Sequence, residues 1–127
     1  MKTENEMSYI IRGAIYKVYN ALGPGLLESA YEDALCYQLQ KDGLKVERQV
    51  KLPLVYDGIM LSTKLLIDIL VEKTVIIELK SVMTLEPVHH KQILSYLRLS
   101  NCHLGILVNF NTSDINSNII RKVNGYK

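Results

Sequence analysis

Three charged residues interrupt two of the most apolar stretches of the chain. Asp68 separates Leu65-Leu66-Ile67 from Ile69-Leu70-Val71, while Glu78 and Lys80 fall within the run Val75 to Lys80. Strands this apolar are usually central, and a charge within them is seldom fully buried unless paired or bound to a metal. If Val71 pairs with Val75 across the intervening three residues, Asp68 lies opposite Glu78 with Cβ atoms ~5 Å apart, and Lys80 shares their face. Two carboxylates that close repel one another unless a cation lies between them. A hard divalent ion such as Mg2+ takes oxygens from one or two carboxylates and keeps several waters. A lysine beside it can orient an attacking water and balance charge. The plainer reading is a Lys-Glu-Asp cluster on the solvated face of an antiparallel sheet, since Glu-x-Lys by itself is common.

Two helical groups could complete such a site. Glu28 and Glu32 stand at i, i+4 on a line continued by Leu35 and Leu39, so a carboxylate row runs into an apolar stripe. Acidic residues also favour the first turn of a helix for its dipole, which accounts for Glu28 better than for Glu32. Further along, His89, Gln92 and Tyr96 fall at i, i+3 and i+7, a face that could meet a phosphate or a base. A core role for Tyr96 and a solvated helix start for His89 are the plain alternatives. Lys45, Arg48, Lys51, Lys64, Lys91, Arg98, Arg121 and Lys122 are scattered, as on any solvated surface.

The elements that must position these residues can be read from periodicity. Apolar residues at helical spacing predict a helix from Met7 to Leu22, stopped by Gly23-Pro24-Gly25, and a second from about Leu26 to Asp42 with Gly43 as its cap. The period then changes to two: Leu44 to Leu52 reads as a strand with one wet face. Asp57-Gly58, between Leu54-Val55-Tyr56 and Ile59-Met60-Leu61, is the strongest hairpin turn signal. Strands Leu65 to Val71 and Thr74 to Val82 follow, and Pro87 opens a third helix. His103 to Phe110 is a final core strand, with an edge strand at Ile119 to Val123. The order is ααββββαβ, an α+β fold with two N-terminal helices and a central, mostly antiparallel mixed sheet.

Bulk numbers narrow the class. A chain of 127 residues, with 48% hydrophobic and 22% charged residues, fits one globular domain over 1–127. A net charge of +2 and a pI near 8.5 permit a polyanionic partner without demanding one. Cys36 and Cys102 have no second Cys or His at metal-finger spacing, so free thiols in a reducing cytosol are expected, with a single disulfide open on sequence alone. The start, Met1-Lys2-Thr3-Glu4-Asn5-Glu6, lacks the basic and apolar regions of a signal peptide. The stretch from Leu65 to Leu79 is broken by charges and falls short of the ~18 apolar residues a membrane helix needs. The expectation is a cytoplasmic protein with no membrane partner.

With these residues in view, the chain resembles a known family. Gly25-Leu26-Leu27-Glu28-Ser29-Ala30-Tyr31 matches the Gly-x-x-Glu-x-x-Tyr signature of the GxxExxY proteins. Similarity continues through Leu22 to Gly25, Gly43 to Glu47, Asp68 to Val71, Ile77 to Lys80, Pro87 to His89, Gln92 to Leu97 and Leu104 to Phe110, nearly the whole chain. These proteins look like compact members of the PD-(D/E)xK nuclease superfamily, near its RecB-like and lambda-exonuclease-like branch, with a restriction-endonuclease-like core.

The resemblance implies a metal held by Asp68, Glu78 and the backbone carbonyl of Leu79, with Lys80 as the water-orienting cation. It makes Glu32 or Glu28 the helix glutamate that completes the site, and Gln92 and Tyr96 the substrate-orienting pair beside His89. Two departures stand out: Tyr19 where family members often have His, and Leu66 where they often have Arg. The function implied is Mg2+- or Mn2+-dependent hydrolysis of DNA, by a chain small enough that a homodimer could be needed to grip a duplex. The alternative is a nucleic-acid-binding or assembly module that keeps the fold with little catalysis.

Overall fold

The computed structural model describes residues 2–125 of the chain. Helix α1 (Glu4–Leu22) starts three residues before the apolar period because Thr3 and Glu6 form a capping box. Helix α2 (Glu28–Lys41) starts later than expected, since residues 23–27 form a separate loop. Tyr31 clamps that loop. Its hydroxyl donates to the Gly23 carbonyl at 2.6 Å and accepts from the Leu26 N–H at 3.1 Å, while its ring stacks on Phe110 with centroids 4.4 Å apart. Gly25, at φ 97°, makes a turn that a side chain would resist.

The strands are β1 (Val46–Tyr56), β2 (Ile59–Val71), β3 (Val75–Lys80), β4 (Leu104–Asn109) and β5 (Ile119–Val123), with helix α3 (Pro87–Ser100) between β3 and β4. They form one sheet in the order β1-β2-β3-β4-β5, antiparallel throughout except for the parallel β3–β4 pair that α3 bridges. The α+β class and the mostly antiparallel mixed sheet are as expected, and the layers fit a restriction-endonuclease-like core. The element string is corrected in one place. Three strands rather than four precede α3, and the order is ααβββαββ. Pro53 does not end a strand. It sits beside a register shift, where two residues advance on β1 (Pro53 to Val55) against four on β2 (Lys64 to Met60).

Helices α1 and α2 cover one face of the sheet, over Ile69, Val71, Ile77, Leu79, Ile106 and Val108. Helix α3 covers the other, where Ile93, Tyr96 and Leu97 join Leu52, Ile67, Ile76 and Leu107. Ile67 and Ile69 therefore face opposite layers, although residues two apart on a strand ordinarily share a face. The same reversal occurs on β1, where Val46 packs with α1 and α2 but Val50 and Leu52 pack with α3. Both reversals fall at one rung, Gln49 and Asp68, which is missing from the otherwise continuous pairing Arg48–Ile69 and Val50–Ile67. Gln49 there has φ 49°. Beyond this bend the ribbon runs out to a tip at which Val55, Tyr56, Ile59 and Met60 are each more than half exposed.

Both cysteines are free thiols. No helix among the described residues is long and apolar enough to cross a membrane.

Candidate functional site

The β2–β3 ladder holds Val71 to Val75, Leu70 to Ile76 and Ile69 to Ile77, the register expected from the short turn, and then stops. From the next rung onward side chains replace backbone partners. The Asp68 N–H donates to Glu78 Oε2 at 2.9 Å, and the Leu79 N–H donates to Asp68 Oδ2 at 2.9 Å. Each carboxylate thus satisfies a backbone donor that the diverging strands would otherwise leave unmatched. Glu78 is 3% exposed and Asp68 is half-buried.

Burial is the first cause of the electrostatics here. It pushes the Glu78 carboxyl up to about 8, with the neighbouring Asp68 charge acting in the same direction. Asp68 is raised too, by burial first, against the lowering effect of the Leu79 N–H. Lys80, at the end of β3, lowers both, and Glu28 raises both, so these two charges bear on the pair.

Glu32 comes in from α2 and is 8% exposed. Its Oε2 accepts from Arg48 Nε at 3.0 Å and Nη2 at 2.9 Å, and its Oε1 accepts from Gln49 Nε2 at 2.7 Å. The same Gln49 amide nitrogen reaches Asp68 Oδ1 at 3.5 Å, and Arg48 also pairs with Asp33. The start of α2 is tied to the far end of β3 by Ser81, whose hydroxyl donates to the Leu26 carbonyl at 2.6 Å.

From the opposite layer, Tyr96 is 7% exposed and its hydroxyl accepts from Gln92 Nε2 at 3.3 Å. Burial first, and then the Glu78 charge, raise its pKa. His89 has another task. Its Nδ1 accepts from the Glu86 N–H at 2.9 Å in a box that caps α3. Glu28 is the exposed first residue of α2. Tyr19 donates to the Thr112 carbonyl, tying α1 to the loop after β4.

The structure therefore brings Asp68, Glu78, Leu79 and Lys80 together, with Glu32 linked through Gln49 and Tyr96 buried beside Gln92 in the α3 layer. Sequence reasoning missed Arg48 as more than surface charge and missed Gln49 entirely. The Asp57-Gly58 turn alone would set Gln49 opposite Leu66, and only the shift beside Pro53 carries it to Asp68.

Among the described residues, no group of three or more His, Cys, Asp or Glu has the mutual geometry to hold a metal ion as it stands. The donor chemistry nevertheless suits one. Asp68 and Glu78 offer hard oxygens at a buried point where their charges oppose each other, and Mg2+ is commonly held by one or two carboxylates with water completing the shell.

The sequence model of one family, described as the PD-(D/E)XK nuclease superfamily, matches residues 5–122. No curated protein and no solved structure matches the chain.

Proposed function

The chain belongs to the PD-(D/E)XK nuclease superfamily, and on that premise we propose that it hydrolyses phosphodiester bonds of DNA with Mg2+ or Mn2+ at Asp68, Glu78 and the Leu79 carbonyl. The observation that carries this reading is the exchange of side-chain for backbone bonds between Asp68 and Glu78-Leu79, with Lys80 following at once. Bound there, a divalent cation would lower the pKa of an attacking water and offset the charge gathering on the phosphate.

The chain's own residues do the rest. Asp68 and Glu78 place two carboxylates where negative charge is costly, and a bound cation would offset that cost. Lys80 forms no salt bridge among the described residues, so its ammonium is available to hold the water and the non-bridging phosphate oxygens. Glu32 completes the acidic set from α2, ahead of the exposed Glu28. Gln92 and Tyr96 orient the nucleic-acid strand, and His89 borders it from the start of α3.

A second copy of the chain would let so small a domain hold both strands of a duplex. In support, the β1–β2 tip leaves Val55, Tyr56, Ile59 and Met60 each more than half exposed, apolar surface that a second copy would cover. The finer kinship, with the GxxExxY proteins and the RecB-like branch, rests on the loop that Tyr31 clamps and on Gln92 and Tyr96.

The test is direct. Purified chain is incubated with single- and double-stranded DNA and with RNA, with Mg2+ or Mn2+, beside Lys80→Ala. Cleavage of DNA that needs the cation and is lost in the variant is the expected result. No cleavage of any form, with no difference between the two proteins, would overturn it.

A further inference from the structure

Five residues other than glycine have positive φ among the described residues: Gln49, Asp57, Glu72, Lys73 and Asn101. Asp57, Glu72 and Lys73 make the two hairpin turns, and Asn101 caps α3, so each sits where a left-handed backbone is demanded. Gln49 does not. It lies inside β1, where an extended conformation is the rule, and the only rung it breaks is the one shared with Asp68. A side chain held in this conformation mid-strand is a strain that the surroundings must enforce, and such positions cluster at functional sites.

The strain turns the Gln49 amide toward two carboxylates from different layers. Its Nε2 donates to Glu32 Oε1 at 2.7 Å and reaches Asp68 Oδ1 at 3.5 Å. On the far side of Glu32, Arg48 holds the other oxygen and turns its remaining contact to Asp33. The chemistry of the two donors differs in a way that fits their places. Arg48 is a permanent cation, and it meets Glu32 and Asp33 but makes no bond to Asp68. The residue that spans Glu32 and Asp68 is neutral. A guanidinium or ammonium there would neutralise the pair and compete with any cation, whereas an amide orients the carboxylates and leaves their charge in place.

We propose that Gln49 is a positioning residue that sets the divalent-cation affinity of the site by holding Glu32 toward Asp68. The inference rests on the metal site proposed above and assigns the bridge within it. Partners that orient metal-ligating carboxylates commonly change affinity by about 10- to 100-fold when removed.

Two variants of the full chain test it, Gln49→Gly and Gln49→Met, each followed by Mn2+ titration calorimetry and by thermal melting without metal. Glycine takes up φ 49° without strain, so Gln49→Gly should melt at or above the parent temperature while binding Mn2+ about 10- to 100-fold more weakly. Methionine fills nearly the same space without N–H donors, so Gln49→Met should bind as weakly as the glycine variant. If the methionine variant binds Mn2+ as tightly as the parent, Gln49 only fills space and the inference falls. It falls equally if both variants keep the parent affinity. A parent that takes up no Mn2+ at all sinks the metal site first and this inference with it, an outcome distinct from a parent that binds and variants that bind alike.

Discussion

The molecule has two hairpins that share strand β2, and they invert the usual placement of residue types. The β1–β2 ribbon carries Val55, Tyr56, Ile59 and Met60 out into solvent at its tip. The β2–β3 hairpin takes Asp68 and Glu78 inward, Glu78 to 3% exposure, in strands otherwise made of valine, isoleucine and leucine. Neither arrangement helps a monomer to fold. Exposed apolar side chains gain nothing from water, and a buried carboxylate such as Glu78 loses hydration that its one hydrogen bond, from the Asp68 N–H, restores only in part. The difference lies in what would relieve each one. Apolar surface at a tip is relieved by another surface, whereas opposed carboxylates at the end of a ladder are relieved by a cation. The bend at Gln49 and Asp68 separates the two regimes on a single ribbon.

The sharpest way to break this comparison is to make the inward hairpin ordinary. Glu78→Gln keeps an oxygen that can accept from the Asp68 N–H but removes the charge. Cation-dependent cleavage should fall by on the order of 10^3-fold, the scale of losing one electrostatic stabiliser in a water-excluded site. The same variant should be more stable than the parent above pH 8, because the glutamate it replaces is ionised there against the push of burial. Single-turnover cleavage and chemical denaturation at pH 8.5 measure the two. A variant that loses activity and stability together would make Glu78 a structural residue.

The next effect follows from the same carboxyl without mutation. Its pKa rises from an ordinary 4.5 to about 8 on folding. Between those values the native state holds a proton that the unfolded chain has released, so the native state binds more protons. Stability must then fall as pH climbs from about 4.5 to about 8 and level off above it, by at most about 1.4 kcal/mol per pH unit for one group. Asp68 shifts in the same direction and adds with the same sign. Saturating Mn2+ should flatten or reverse the trend, since the ligands bind ionised. Denaturation curves from pH 5 to 9, with and without Mn2+, check this. A metal-free stability that rises over that range contradicts it.

What the sequence made legible divides along the same line. The inward hairpin was readable because its turn is short and both strands are apolar, so the Val71–Val75 pairing fixed every rung up to Asp68. The helices were readable from their period, apart from the Thr3–Glu6 capping box that lengthens α1 and the loop over residues 23–27 that delays the start of α2. The outer ribbon was not readable in the same way. Its Asp57-Gly58 turn is plain, but the shift beside Pro53 moves the register, and with it Gln49, by two residues. Nor does strand alternation announce that the ribbon reverses its faces at Gln49 and Asp68, because residue types do not show the positive φ that Gln49 adopts there on β1. His89 and Arg48 show the limit on side chains: type and spacing suit several tasks, and only the capping bond and the Glu32 pair distinguish them.

The outer hairpin yields a smaller prediction. If its tip meets a second copy, the change Tyr56→Ser with Met60→Ser should weaken self-association by roughly 10- to 100-fold, about 1–3 kcal/mol. Mn2+ affinity, set on the other side of the bend, should stay at the parent value. Sedimentation velocity across a concentration series decides the first and calorimetry the second. A parent that is monomeric at every concentration tested removes the second copy as occupant of the tip.

The smallest effect is expected where the two regimes meet. Leu66 lies two residues before Asp68, is 44% exposed, and stands across from Lys51. Leu65 and Ile67 on either side of it turn into the α3 layer, so a longer side chain at 66 has room without disturbing the core. Leu66→Arg would set a second cation opposite Lys51. Like charges facing across two strands cost about 0.2–1 kcal/mol, so the variant should be slightly less stable. The same pair would hold a phosphate between them beside the acidic centre. DNA affinity should therefore rise a few-fold, and the dependence of log K on log salt should steepen by about one, as for one added phosphate contact. Fluorescence anisotropy over a salt series separates the terms. A steeper slope with lower stability places position 66 on the path of the nucleic-acid backbone. An unchanged slope would mean that the strand approaches from the Tyr96 side alone, and that the bend shields the site from the outer ribbon.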